Sequence, residues 1–516
     1  MLSASISFVL HAHLPWVRAE GPSISLEEGW LYEAMWQSYL PLFDVFTRLG
    51  EASPPGPLCT LSLSPPLMSM LGDAHHRQRF RRYADELAET LARAAEREPG
   101  HAAAIGDQQA RLSQSVATFE RLRGDVLAGF VELEARHVIE LGTTAASHAF
   151  LPGLLSEAAA RAQVRMGLRY FHALTKRHAR VFWLPECGYD ERLENAIVES
   201  GALATVLASH GLDLARPRPP FSTHTPILGS QPFAFFGRAA ELVDRIWSRE
   251  HGYPAHPSYR EFHHALDARS TSVTGRAVKP FRVTGPTSTK ERYEPELAAL
   301  TAKQHAADFL GQSSRWLQNG DAPHPIAVLA FDAELFGHWW WEGPAFLEAV
   351  LSGAKSHTLT ACSLGSYLER DPALPVARPA TSTWGRGGYA DSWSHPSTSH
   401  ASRLAHRAER RVLAIDALVR DTPRSETQRR ARLWAIRELF LLQASDYPFM
   451  LRSGEFAAFA EKKLLEHAGR LDELCAIAER AKEADGDKAR VHTLVTSRPF
   501  FTELDEDAWA DAFDPW

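Results

Sequence analysis

Short apolar runs that stop at polar residues recur along the chain: SISFVLHAHLP, LCTLSLSPPL, VIELGTTAASHAFLP, ARVFWLPECGY, ALATVLASHGL and IAVLAFDAELFGHWW. Runs of this length separated by stretches of helical period predict buried parallel strands joined by helices. The expected fold is therefore an α/β barrel whose strand C-termini carry the site. Between the second and third runs, residues of about 70–130 have helical period and are rich in Ala, Arg and Glu, which predicts a helical insertion. Residues 214–260 are Pro- and aromatic-rich with weak periodicity, as a long loop over a barrel mouth would be. Beyond residue 400, amphipathic stretches such as SRLAHRAERRVLAIDALVR and ETQRRARLWAIRELFLLQAS predict an all-α C-terminal domain.

At 516 residues the chain exceeds what one core usually holds, which agrees with a barrel plus satellites. A net charge of −7, with no basic run carrying interleaved aromatics, removes nucleic acid from the expected partners. No apolar stretch reaches the roughly 18 residues of a membrane span, so no membrane is expected. Four scattered cysteines, Cys59, Cys187, Cys362 and Cys475, fit a reducing compartment, and a cytoplasmic protein is expected. The unusual counts are 14 Trp and 24 His. Several tryptophans sit in Gly-, Pro- and His-rich turns, and their flat faces suit sugar rings.

Glu186 ends the run VFWLPE and Asp332 ends IAVLAFD, so both carboxylates stand where barrel strands open into the mouth. Two carboxyls from different strands can cleave a glycosidic bond, one attacking the anomeric carbon and the other protonating the leaving oxygen. Alternatively, one of them is a strand-end cap or ion-pair partner. His11 and His13 share one face of the first strand. Such a pair can hold Zn²⁺ or hydrogen-bond a sugar, and His148 after another strand can join either role.

The motifs HAHLPWVR, LSLSPPL, ASHAFLP, WLPECGY, AFDAELFGHWWWEGP and TSTWGRGGYADSW occur in an order that resembles glycoside hydrolase family 57, over essentially the whole chain. The resemblance implies an incomplete (β/α)7 barrel with a helical insertion, a helical C-terminal domain and no metal or other cofactor in catalysis. The barrel would occupy residues 1–69 and 131–370 and the insertion 70–130. The C-terminal domain, 371–516, would contribute to the glucan cleft. It further implies Glu186 as nucleophile, Asp332 as general acid/base, and the activity of the family's 1,4-α-glucan branching enzymes on an amylose- or glycogen-like α-glucan. By the same resemblance Arg238 binds donor, Trp30, Trp247, Trp384 and Trp393 line the cleft, and Asp446 binds glucan.

Three departures stand out. Ala255 in GYPA replaces a family glycine, and SHPSTSHASRLAH follows Trp393 in place of an Asn- and Trp-containing stretch. No tyrosine occurs between Tyr189 and Tyr253, where the family carries one on a lid. Segment 214–235, rich in proline and without a tyrosine, is expected to be a stiffer lid that covers the site less well, with His224 standing in as its polar contact. The rival activities are an α-amylase or 4-α-glucanotransferase on the same scaffold, a weakly active glucan-binding protein, and a metal-dependent hydrolase built on His11 and His13.

Overall fold

The first apolar run becomes β1 (Ala4–Ala12), buried along all but its first residue. Such burial on both faces requires parallel neighbours, and β1 pairs in parallel with β2 (Cys59–Leu63) and, from Ser5 to His11, with β8 (Ile326–Asp332). β3 (Glu140–Thr144) and β4 (Phe182–Trp183) continue the sheet in the order β4-β3-β2-β1-β8. A second sheet holds β5 (Ala204–Leu207), parallel to β7 (Ala234–Gly237), with the short β6 (Ile227–Leu228) antiparallel on the other edge of β7. The two sheets join twice: Val181 bridges Ala204, and Arg238 bridges Val328, both in parallel.

Among the described residues, seven parallel strands thus close in the order β1-β2-β3-β4-β5-β7-β8, with single bridges at two seams. β6 occupies the edge of β7 that a longer β7–β8 pairing would need, which is why the barrel is incomplete there. A ninth strand, β9 (Leu359–Ala361), pairs with the start of β1. This computed structural model describes residues 4–514 apart from 53–55, 249, 268, 288, 371–372 and 423. The boundary expected at residue 371 lies outside the described residues.

Between β2 and β3, helices Ala74–Arg97, Ala102–Arg121 and Val126–Ala135 form the insertion. The middle helix buttresses the turn after β8. Asp107 accepts a 2.6 Å bond from the Trp341 indole, and Arg111 donates to the Trp341 carbonyl at 2.6 Å. The guanidinium groups of Arg111 and Arg260 lie 3.6 and 3.8 Å from the Trp341 ring centroid, close enough for cation–π attraction.

Among the described residues, six α-helices make up the C-terminal region, from Ser399–Asp421 to Glu506–Ala510. This region docks on the barrel through a buried polar chain. Gln163 donates to Gln443 (2.9 Å), Gln443 to Glu409 (3.1 Å), and Glu409 accepts from the Ser156 hydroxyl (2.6 Å). Every link satisfies a group whose burial would otherwise cost about 1–3 kcal/mol. No described helix is long and apolar enough to cross a membrane.

Candidate active site

β4 ends in the turn Pro185–Cys187, where Glu186 and Cys187 both take positive φ, 64° and 49°. Non-glycine residues rarely adopt this region, and surrounding contacts must hold them there. They do so here: the Trp384 amide donates to the Glu186 carbonyl (3.0 Å), and Tyr189 and Ser382 exchange backbone bonds. The reversed backbone is accompanied by a carboxylate bonded on both oxygens. Oε2 accepts from the Trp384 indole at 2.8 Å and Oε1 from the Ser445 hydroxyl at 2.9 Å. Burial pushes the Glu186 carboxyl above its ordinary pKa, and these two donors oppose that push.

Ser445 belongs to the C-terminal region, and its amide is fixed by the His148 carbonyl at 3.1 Å. Its hydroxyl lies 2.8 Å from His148 Nδ1, His148 Nε2 lies 2.9 Å from His11 Nε2, and His11 Nδ1 lies 3.3 Å from the Ser62 hydroxyl. Burial and the neighbouring histidines push His11 and His148 well below the ordinary imidazole value, so both are neutral. With Ser445 donating to Glu186, one proton arrangement satisfies the series. His148 Nδ1–H donates to Ser445, His11 Nε2–H donates to His148, and Ser62 donates to His11. Ring stacking holds the row in place: His11 lies 5.0 Å from Trp183 and 4.8 Å from His148, and His148 lies 3.8 Å from His13.

His13 completes the wall by bonding Asp446 at 3.1 Å, so Asp446 is tied into the site instead of forming an ion pair at the surface. The ligand atoms of His13, His148 and Asp446 lie within 4.8 Å of one another, as a metal site requires. However, the His13 and His148 rings are stacked at 18°, and both nitrogens of His148 are committed to other partners.

Asp332, paired with His11 across β1 and β8, contrasts with Glu186. Among the described residues no donor lies within hydrogen-bond distance of its carboxyl, which leaves it free to meet a ligand oxygen. Burial, then the nearby Glu334 and Glu186 charges, hold it well above the ordinary aspartate value, while Arg238 opposes them. Arg238 donates to the Ala330 carbonyl at 3.0 Å, and its guanidinium lies 5.0 Å from the Trp384 ring centroid.

The turn after Asp332 rests on a π-helical turn, Met35–Tyr39, a distortion often found at functional sites. Gln37 accepts from His338 (2.8 Å), Ser38 donates to the Ala333 carbonyl (2.8 Å), and the Tyr39 hydroxyl donates to Glu334. A side chain at Gly337 (φ 115°) would run into the Gln37 carbonyl, so the close approach requires glycine.

The outer positions divide. Trp247 is 48% exposed and stands edge-on to Trp339, 37% exposed, at 6.0 Å. Half-buried Trp30 meets Phe456 of the C-terminal region at 4.7 Å. Ala255 lines a shallow depression of about 240 Å³ with Tyr253, His256 and His305. Trp393, expected to line the cleft, is only 4% exposed: it stacks on Phe150 at 5.0 Å and abuts Gly385, so it supports the turn that carries Trp384.

The segment expected to be a stiff lid is held in place. Segment 214–235 is pinned by backbone bonds between Arg216 and Arg378 and between Leu228 and residues 375–377. His224 stacks on Trp316 at 3.7 Å and bonds its carbonyl, which occupies the side chain meant for a lid contact. Sequence reasoning missed Ser445 and Glu334. Ser445 lies one residue before Asp446 and Glu334 two after Asp332, so adjacency to a motif residue was the available signal.

An anchored carboxylate facing an unanchored, proton-retaining one, at the C-terminal mouth of a parallel barrel, is the equipment of a glycoside-cleaving enzyme. The chain belongs to glycosyl hydrolase family 57, whose family model matches residues 7–364. A second model, the C-terminal domain of 1,4-alpha-glucan branching enzymes, matches residues 404–509. The chain is similar to a probable 1,4-alpha-glucan branching enzyme of Mycobacterium tuberculosis, at 30% identity over 93% of this chain and 95% of the relative. Among solved structures it resembles the family 57 branching enzyme of Pyrococcus horikoshii (27% identity, TM-score 0.87, covering 98% of this chain and 96% of that one). It is similarly close to the α-amylase AmyC of Thermotoga maritima (27%, TM-score 0.86, 99% of both chains).

Proposed function

We propose that the chain is a 1,4-α-glucan branching enzyme working by retaining double displacement. The observation that carries this reading is the asymmetry of the two carboxyls, combined with a branching-enzyme C-terminal domain that itself supplies Ser445 to the nucleophile. Glu186, held ionised and aimed by Trp384 and Ser445, attacks the anomeric carbon of an α-1,4-linked glucan. Asp332 delivers its proton to the departing 4-oxygen. Asp332 then takes the proton of a 6-hydroxyl on a second glucan, whose oxygen displaces Glu186 and forms the α-1,6 branch.

His11, His13, His148 and Asp446 form the polar wall of the innermost sugar site, and Arg238 and Trp384 flank the reacting carbon. Trp30, Trp247 and Ala255 extend the cleft, with Trp393 acting through the Trp384 turn. The likeness to AmyC favours one second reading, an α-amylase, in which water replaces the glucan acceptor.

Digestion of amylose distinguishes the two. Anomeric proton NMR should show α-1,6 linkages accumulating at the expense of α-1,4 linkages, in excess of newly released reducing ends. Reducing ends rising without any α-1,6 signal would overturn the branching assignment in favour of the amylase.

A further inference from the structure

The proposed mechanism uses two carboxyls, yet a third lies beside them with no role assigned. Glu334 is 4% exposed and follows Asp332 by two residues in the turn that leaves β8. One oxygen accepts both the His13 amide (3.1 Å) and the Tyr39 hydroxyl, donors from the end of β1 and from the π-helical turn. Its carbonyl also accepts the amides of His338 and Trp339, at 3.2 and 3.1 Å. A brace alone would not need a charge here, since a neutral amide oxygen accepts the same two side-chain-directed bonds.

We propose that Glu334 is a positioning residue that acts through Asp332: its buried carboxyl, braced by His13 and Tyr39, opposes ionisation of the general acid as pH rises through neutrality. The inference rests on the assignment of Asp332 as the acid. Among the described residues, the titratable groups coupled to the pair are Glu186 and Cys187 in the turn after β4, Arg238 just after β7, His13 just after β1 and Tyr39 from the π-helical turn. Of these, Arg238 favours ionised Asp332, while Glu186 and Glu334 disfavour it. Glu334 stands ahead of Glu186 among the charges that lift Asp332. Burial pushes Glu334 itself up to about 7, and the bonds from Tyr39 and His13 pull the other way. The sign follows. As pH rises through neutrality Glu334 ionises, and its negative charge makes loss of the Asp332 proton harder at the pH where the acid would otherwise fail.

Glu334→Gln tests this, because the amide keeps an acceptor for His13 and Tyr39 while removing the charge. The readout is the pH dependence of kcat/KM on amylose, followed by loss of iodine-binding chains. The alkaline limb should move down by about one pH unit or more, with activity near the acidic optimum and KM close to wild type. Tyr39→Phe, which removes a donor to ionised Glu334 without touching the carboxyl, should move the limb in the same direction by less. It keeps the test open if the first variant does not fold. A wild-type profile with no alkaline limb would overturn the acid assignment and this inference with it. A wild-type limb that stays in place in the folded variants overturns this inference alone. Counting α-1,6 linkages in the same digests tests the branching reading separately.

Discussion

At the scale of single residues, the two carboxyls proposed to be catalytic differ in what holds them, and that difference has kinetic consequences. Hydrogen bonds to a charged group contribute about 1.5–3 kcal/mol, so removing one donor from Glu186 should cost roughly tenfold or more in kcat. Trp384→Phe removes the indole donor and keeps a ring; Ser445→Ala removes the other donor. Both should lower kcat on amylose with little change in KM. An unchanged kcat in either variant would show that the bond seen in the structure does not serve the reaction. The pH profile supplies a sign. Glu186 must be ionised to attack, and Trp384 and Ser445 pull its pKa down against burial. Losing either donor therefore moves the acid limb of kcat/KM upward. Asp332 must be protonated, so Asp332→Asn should be inactive on amylose yet still release fluoride from an α-glucosyl fluoride, a leaving group that needs no proton. Equal loss on both substrates would count against the acid role.

At the scale of elements, the apolar runs were legible because strands buried on both faces have no polar alternation to confuse, and β1, β4 and β8 lie where those runs predict. The places of Glu186, in the turn after β4, and of Asp332, at the end of β8, were legible for the same reason. The positive φ of Glu186 and the π-helical turn were not, because both depend on neighbours hundreds of residues away: Ser445 is 259 positions from Glu186. The prolines of segment 214–235 made its stiffness legible, but not its anchors, because residues 375–378 and Trp316 lie far along the chain. Tryptophans were ambiguous by sequence, and burial now separates them. Trp393→Ala should destabilise the fold by about 3–5 kcal/mol, as loss of a buried aromatic does, and lower Tm and activity together. Trp247→Ala removes a ring half in water, so Tm should hardly move while KM on long glucans rises. If calorimetry shows the two variants equally destabilised, the distinction drawn from burial is wrong.

At the scale of the whole molecule, barrel and C-terminal helices share one site and a wide contact. Besides Ser445 on Glu186 and Asp446 on His13, the barrel helix Glu157–Thr175 sends Arg165 to the Asp511 carbonyl (2.7 Å), Arg169 to the Asp511 carboxylate (2.9 Å) and Tyr170 to Glu503 (2.8 Å). Tyr170 is also buried against Phe501, at 4.2 Å between ring centroids. Removing the C-terminal region would take these bonds away and expose an apolar helix face, a cost comparable to the few kcal/mol that separate folded from unfolded chains. The two regions should therefore unfold as one. In urea, helical circular dichroism, tryptophan fluorescence and branching activity should fall together at a single midpoint. Activity vanishing at lower urea than the fluorescence change would mean that Ser445 and Asp446 can leave the site while the barrel stands. The docking chain through Gln163, Gln443 and Glu409 would then be a weak seam, contrary to what its burial implies.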